Sequence, residues 1–321
     1  MKILVAGGAG YIGSCTTEYL LDRGHEVVVY DSLAKGHRDA VDPRARLIHG
    51  DLADRDRVFE ALRAERPEGV IHFAAFIEVG ESMRDAALYF RNNVANGLNL
   101  LDAAVAGAIR KLVFSSTAAV YGMPATVPIP ETEPTKPINA YGESKLIFEK
   151  MLRWYNEVHG LGYVALRYFN AAGATERRGE DHHPESHLIP IILQAAMGQR
   201  PHVQVFGDDY PTPDGTCIRD YIHVTDLAQA HLLALESPLN GSFNVGSGSG
   251  FSVKEIIQVA REITGKPIPV LTAPRRPGDP PRLVSDSARA RAELGWTPRF
   301  DDVRAIVASA WAWRQRHPNG Y

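Results

Sequence analysis

The chain has 321 residues, 45% of them hydrophobic and 23% charged, with a formal net charge of -3. That length provides one large or two ordinary domains with a sizeable core, and that charge gives no field to draw in nucleic acid or an anionic membrane. Cys15 and Cys217 lie outside any Cys-x-x-Cys pair, no apolar run reaches the roughly 18 residues that span a bilayer, and "MKILVAGGAG" reads as a strand rather than a cleaved leader, so the chain is expected to be a reduced, cytoplasmic protein.

In chain order, "KILVAGG" predicts a strand ending in glycines, and "YIGSCTTEYLLDRG" a helix closed by Gly24. "EVVVYD" predicts a second strand, "DRDRVFEALRAE" a helix and "GVIHFAA" a third, buried strand. "NGLNLLDAAVAGA" predicts a helix, "KLVFSST" a fourth strand, "SKLIFEKMLRWYNEVHG" a helix and "YVALRYFN" a fifth strand. Strands without polar alternation, separated by helices, imply a parallel sheet covered on both faces. Right-handed crossovers then make the fold class α/β, a doubly wound Rossmann sheet.

Beyond about residue 170 the pattern loosens. "GATERRGEDHHPESH" predicts a polar loop, "LIPIILQAAMGQ" a helix and "VQVFGDDYPTPDG" a turn-rich stretch. "TDLAQAHLLALE" predicts a helix, "GSFNVGS" a strand, and "VKEIIQVAREITG" and "ARAELG" further helices. The expectation is a Rossmann domain over 1–172 and a smaller mixed α/β domain over 173–321, with the segment at about 220–246 packing back on the first sheet.

"GGAGYIG" follows the first strand and opens a helix. Gly8, Gly10 and Gly13 fit the dinucleotide fingerprint, and Gly7, Gly10 and Gly13 a related spacing. Such glycines permit a tight turn and close backbone approach to a pyrophosphate at a helix N-terminus. Asp31 ends the second strand 18 residues after Gly13. An acid there binds the adenosine ribose hydroxyls and repels a 2′-phosphate, which points to NAD rather than NADP. Asp51, in "GDLAD", stands where the adenine edge would lie, and His72 reads as a satisfied core histidine.

"FSSTAAVYG" places Ser115, Ser116 and Thr117 at the mouth of the sheet, and "NAYGESK" places Tyr141 and Lys145 one helical turn apart. Together they make a workable oxidoreductase site. Thr117 would hold a substrate hydroxyl, Tyr141 would take its proton, and Lys145 would lower the phenol's pKa.

These residues resemble the extended short-chain dehydrogenase/reductase family. Downstream, "RYFNAAGA", "GEDHHPESHLIP", "GTCIRDYIHV", "FNVGSGSGFSV" and "APRRPGDPPRLVSD" are similar to the UDP-glucose/UDP-galactose 4-epimerases, and the similarity runs essentially end to end. That resemblance implies a tightly held NAD that takes the hydride from sugar C4 and returns it to the opposite face of a 4-keto intermediate, with no net redox. It implies Thr117, Tyr141 and Lys145 as the catalytic set. Gly7, Gly10, Tyr11, Ile12, Gly13, Asp31, Asp51 and Leu52 would contact the cofactor, as would Phe73, Ala74, Ala75, Asn92, Ser115, Tyr168 and Phe169, together with Tyr141 and Lys145. Asn170, His187 and Leu188 would contact the sugar nucleotide along with Thr117 and Tyr141. Gln204, Val205 and Phe206 would line the uracil. Arg219 and Arg276 would hold the pyrophosphate and Asp279 the uridine ribose, supplying the local cations that a net-negative chain needs. A homodimer built through helices of the first domain is also implied. The sequence departs from the pattern at Ile77, where some epimerases carry lysine, and at His187, where others carry asparagine. Leu283 stands where room for an N-acetyl group is set.

A sugar-nucleotide 4,6-dehydratase would need an Asp-Glu pair just after the strand-end threonine. Ala118 and Ala119 stand there, so elimination lacks its acid. Epimerisation of UDP-glucuronate, UDP-N-acetylglucosamine or a UDP-pentose stays open, as does a silent NAD-binding regulator on the same fold. His182, His183 and His187 lack the cysteine or helical histidine spacing of a zinc motif and read as a solvated polar loop, so no metal is expected.

Overall fold

A computed structural model describes residues 1–276 and 278–321. The first half runs β1 (Lys2–Ala6), α1 (Tyr11–Leu21), β2 (Glu26–Asp31), β3 (Arg46–His49), α2 (Arg55–Glu65) and β4 (Gly69–His72). It continues through two short helices, α3 (Val79–Ser82) and α4 (Ala86–Phe90), then α5 (Asn96–Ala106), β5 (Lys111–Ser115), α6 (Ala140–His159), β6 (Gly162–Tyr168) and β7 (Asn170–Ala172). The second half adds α7 (Leu188–Ala196), β8 (Val203–Phe206), β9 (Ile218–His223), α8 (Val224–Glu236), β10 (Gly241–Val245) and β11 (Gly250–Ser252). It ends with α9 (Val253–Thr264), β12 (Val270–Ala273), β13 (Arg282–Leu283), α10 (Ala288–Leu294) and α11 (Val303–Arg316).

Among the described residues, seven parallel strands form the main sheet in the order β10-β6-β5-β4-β1-β2-β3. The two-residue period sends alternate side chains to opposite faces. Leu4, Ala6, Val28, Val70 and Leu112 pack toward α2, α5 and α6, while Ile3, Val5, Val27, Val29 and Ile71 pack toward α1, α8 and α10. Both faces are therefore dry, which is why these strands read as unbroken apolar runs. The chain winds outward from β1 in one direction through β2 and β3, and from β4 in the other. Ligands of such sheets sit outside the carboxyl ends at that switch point.

Strand β10 returns from the second half of the chain to pair with β6. The other strands form smaller sheets around β9 and between β8 and β12, over a third core that includes Ile192, Val203, Tyr221, Ile256 and Ile306. Several elements differ from the sequence reading. Arg46–His49 is an edge strand with one buried residue in four, too weak an apolar signal to stand out. Val203–Phe206, read as turn-rich, is a strand paired with Val270–Ala273. Ile218–His223 is the centre of a small sheet, and the tail adds helix α11, on which buried Val303, Ile306 and Val307 recur at helical spacing.

Candidate active site

Gly7 has φ +83°, and a Cβ there would lie 2.4 Å from the Ala74 nitrogen. A Cβ on Gly13 would lie 2.1 Å from the Gly7 carbonyl. The protein itself demands these two glycines. Gly10 is different, because an added Cβ would meet only the Gly7 oxygen at 3.5 Å, an ordinary contact. Its smallness leaves open space over the N-terminus of α1, where no side chain caps the free N–H groups and no acid sits in the first turn. That cradle suits a phosphate. At the end of β2, Asp31 accepts from the Ala9 N–H at 2.9 Å and the Leu33 N–H at 2.8 Å. Burial pushes its carboxyl up while these two bonds hold it down.

At the end of β5, Thr117 accepts from the Ala119 N–H at 3.1 Å and opens a tight turn. Asn139 caps α6 by accepting from the Gly142 N–H at 2.8 Å. Gly142 lets the helix start press against that turn, since a Cβ there would lie 2.7 Å from the Ala119 oxygen. This close approach carries Tyr141 to Thr117. The Lys145 ammonium donates to the Ser115 carbonyl at 2.8 Å and lies 5.9 Å from the Tyr141 ring centre.

Lys145 was expected to lower the phenol's pKa, and in the protein alone it does not. Burial pushes the Tyr141 phenol up to about 12, opposed by a hydrogen bond from Thr117. Burial also pulls the Lys145 ammonium down to about 7, opposed by Glu149. Desolvation sets both shifts, and neither group offsets the other's. His72 is buried and held neutral, down to about 3, by burial and then by Lys145, but its Nδ1 has no partner, so it is not the satisfied core histidine expected.

Tyr11, Ile12, Asp51, Leu52, Phe73, Ala74, Ala75, Asn92, Ser115, Tyr168 and Phe169 line one continuous cavity with the glycine turn and Asp31. Thr117, Tyr141, Lys145, Asn170, His187, Leu188, Gln204, Phe206, Arg219, Arg276, Asp279 and Leu283 line the same cavity, of about 1600 Å³. That volume exceeds the roughly 300–1,000 Å³ of a single-ligand pocket and leaves room for more than one ligand. Val205 is the exception. On β8 the pleat turns Val203 and Val205 into the third core, with Val205 2% exposed, and turns Gln204 and Phe206 to the cavity.

Arg219 and Asp279, expected to hold different parts of a nucleotide, pair with each other. Arg276 stacks over Phe206 at 4.0 Å. Leu283 packs against the small cluster of Val120, Tyr121, Ile129 and Leu146. The segment expected to be a solvated loop is largely buried: Arg178, Glu180, Asp181 and Glu185 are each less than a tenth exposed. It brings His182 and His187 together with Glu180 and Glu185 on the cavity wall.

Two supports escaped the sequence. Buried Glu149 pairs with Arg167 at 2.5 Å and accepts from Ser116 at 2.5 Å, tying α6 to β5 and β6 behind Lys145. Asn93 accepts from the Phe76 N–H at 2.8 Å and donates to the Ser144 hydroxyl at 3.0 Å, fixing the wall after β4 to α6. Such partners are distant in sequence, and only the one-turn spacing of Lys145 and Glu149 hinted at them.

The chain matches the profile of the NAD dependent epimerase/dehydratase family over residues 3–246. It is 52% identical to the UDP-glucose 4-epimerase of Lacticaseibacillus casei, across 100% of this chain and 99% of the relative. It is similar to the crystal structure of the UDP-glucose 4-epimerase of Brucella ovis in complex with NAD, with a TM-score of 0.94, 48% identity and 97% of each chain covered. It is also similar to the Bifidobacterium longum UDP-glucose 4-epimerase in complex with NAD+ and UDP, with a TM-score of 0.95, 36% identity and 100% of each chain covered.

Proposed function

The chain belongs to the NAD dependent epimerase/dehydratase family, and we propose that it is an NAD-dependent UDP-glucose 4-epimerase that inverts C4 of UDP-galactose and UDP-glucose. The observation that carries this reading is the meeting of Thr117, Tyr141 and Lys145 with the glycine turn, Asp31 and a two-arginine wall in one cavity. The open cradle at Gly10 and the fixed Asp31 carboxylate fit NAD. Bound there, NAD supplies a reversible two-electron acceptor for the C4 carbinol.

The chain's own residues divide the remaining work. Thr117 orients the C4 hydroxyl toward Tyr141. Tyr141 takes the hydroxyl proton as C4 is oxidised to the ketone and returns it when C4 is reduced on its other face. Lys145 anchors the cofactor's ribose and stabilises the phenolate once its own charge is drawn out by the bound anions. Arg219 exchanges its Asp279 partner for the diphosphate, and Asp279 turns to the uridine ribose. Ala118 and Ala119 line the cavity without an acid to expel a leaving hydroxyl, so the ketone goes back to an alcohol. The cofactor residues lie within 1–172 and most of the UDP-sugar residues within 173–321, while α8, β10 and α10 of the second half pack on the first sheet.

The chain forms a homodimer in this reading. Ile147, Met151, Trp154 and Val158 make an apolar stripe along α6, in which Trp154 is 56% and Val158 66% exposed, and Leu98 on α5 is 40% exposed. A reducing, cytoplasmic setting accords with two buried free cysteines, and no described helix is long and apolar enough to cross a membrane. Leu283 borders the sugar end and disfavours an N-acetyl group. Side-by-side turnover of UDP-galactose, UDP-N-acetylgalactosamine, UDP-glucuronate and UDP-arabinose tests the substrate assignment. UDP-galactose is expected to have the highest kcat/KM, and Leu283→Gly to raise that for UDP-N-acetylgalactosamine. A preference for UDP-glucuronate would move the enzyme to another branch of the family.

A further inference from the structure

We propose that Glu180, His182, Glu185 and His187 form a zinc site in the cavity wall. One ligand atom from each residue converges, all within 4.8 Å of one another. The His187 and His182 ring nitrogens stand 2.7 and 3.3 Å from Glu180 Oε1, and 3.5 and 3.9 Å from Glu185 Oε1, the oxygen beside the free Oε2. Ligands at about 2.0–2.1 Å from a tetrahedral zinc are about 3.3 Å apart, so these separations scatter around the value that a shared ion sets.

Two observations separate a metal site from a cluster of ion pairs. His187 Nδ1 stands 2.7 Å from Glu180 and His182 Nδ1 3.3 Å from it, yet neither nitrogen has an aligned hydrogen-bond partner. Both buried ring nitrogens are thus left with a free lone pair or proton beside the carboxylates. Glu185 is 2% exposed at its side chain, and its Oε1 is held by the Ser186 and His187 N–H groups at 2.8 and 2.9 Å. Its Oε2 is buried without a partner. Backbone bonds that orient one carboxylate oxygen and leave the other free are typical of a metal's outer support.

Charge permits the ion. Two carboxylates and two neutral imidazoles are balanced by one divalent cation, which would also give a partner to the His182 and His187 ring nitrogens and to Glu185 Oε2. Two nitrogens with two oxygens favour zinc over calcium or magnesium, which take oxygen alone. The ion would tie the loop at 180–187 to the start of α7 and fix the cavity wall at His187 and Leu188. Thr117, Tyr141 and Lys145 are not among its ligands, and a metal count reads the site without reference to turnover, although His187 also borders the expected sugar nucleotide.

The test uses full-length protein, stripped with chelator, equilibrated with excess zinc and desalted, with zinc counted by elemental analysis. The wild type is expected to keep about one zinc per chain and to unfold several degrees higher than the stripped protein. His182→Ala and Glu185→Gln are expected to lose at least nine-tenths of the metal and the thermal shift. His183→Ala, at an exposed neighbour outside the cluster, keeps both. Circular dichroism checks that each variant is folded. If His182→Ala fails that check, Glu185→Gln carries the comparison, and a cobalt-loaded wild type should show the intense visible bands of a tetrahedral site. Substoichiometric zinc in the wild type, or equal zinc in folded Glu185→Gln, overturns the site.

Discussion

Burial moves the Tyr141 phenol up to about 12 and the Lys145 ammonium down to about 7. The folded protein therefore binds fewer protons at Lys145 than the unfolded chain between about pH 7 and the ordinary lysine value of 10.5. Stability from this group is lowest below that window and rises with pH across it. In cofactor-free protein, Lys145→Met should be more stable than wild type at about pH 6 by urea unfolding, and the gap should close toward pH 10. A gap that stays constant with pH contradicts the buried-ammonium account. Tyr141→Phe should keep cofactor, read by its absorbance, and lose about 10²–10⁴-fold in kcat, the range of a positioned acid–base group. Wild-type turnover in that variant removes Tyr141 from the proton path. The residue trio was legible because its parts are local, a strand end and a one-turn helical pair. The direction of the pKa shifts was not, because burial is set by Phe114, His72 and other residues far along the chain.

One glycine and one buried ion pair help to set the place of helix α6. A methyl at Gly142 would strike the Ala119 carbonyl, so Gly142→Ala must lift the helix start away from Thr117. Overpacking of this kind costs about 1–3 kcal/mol, and a shift of about 1 Å can cost on the order of 10²-fold in rate. Gly142→Ala is thus expected to lose more in kcat than in KM, measured with UDP-galactose. Removing one partner of the Glu149–Arg167 pair leaves a buried charge alone, so Glu149→Ala should lower unfolding free energy by about 3–5 kcal/mol in urea. On the opposite side of α6, Trp154→Glu places a charge in the apolar stripe and should shift the protein from dimer to monomer in sedimentation. Helix α6 was legible from its cap and its apolar period. Strand β8 was not, because neighbouring glycines and prolines masked four residues whose alternation would have sent Val205 inward.

Across the whole molecule, the sheet order follows from sequence rules that favour parallel strands, right-handed crossovers and a switch point beside β1 and β4. The return of β10 to the main sheet is a long-range pairing with Gly241–Val245 against Val164–Tyr168, which local pattern only permits. The same holds for the 180–187 segment, whose polar composition resembles a loop and which is packed by Tyr11 of α1, His37, Arg314 of α11 and Tyr321. The central claim is that one cavity holds the cofactor and the sugar nucleotide together and recycles the cofactor in every turnover. The most direct measurement is conversion of UDP-galactose by purified protein shown to contain NAD, with none added. Many molecules of UDP-glucose per enzyme, with no net accumulation of reduced cofactor, is the predicted result. No UDP-glucose from such protein, or one turnover that stops with the cofactor reduced, contradicts it.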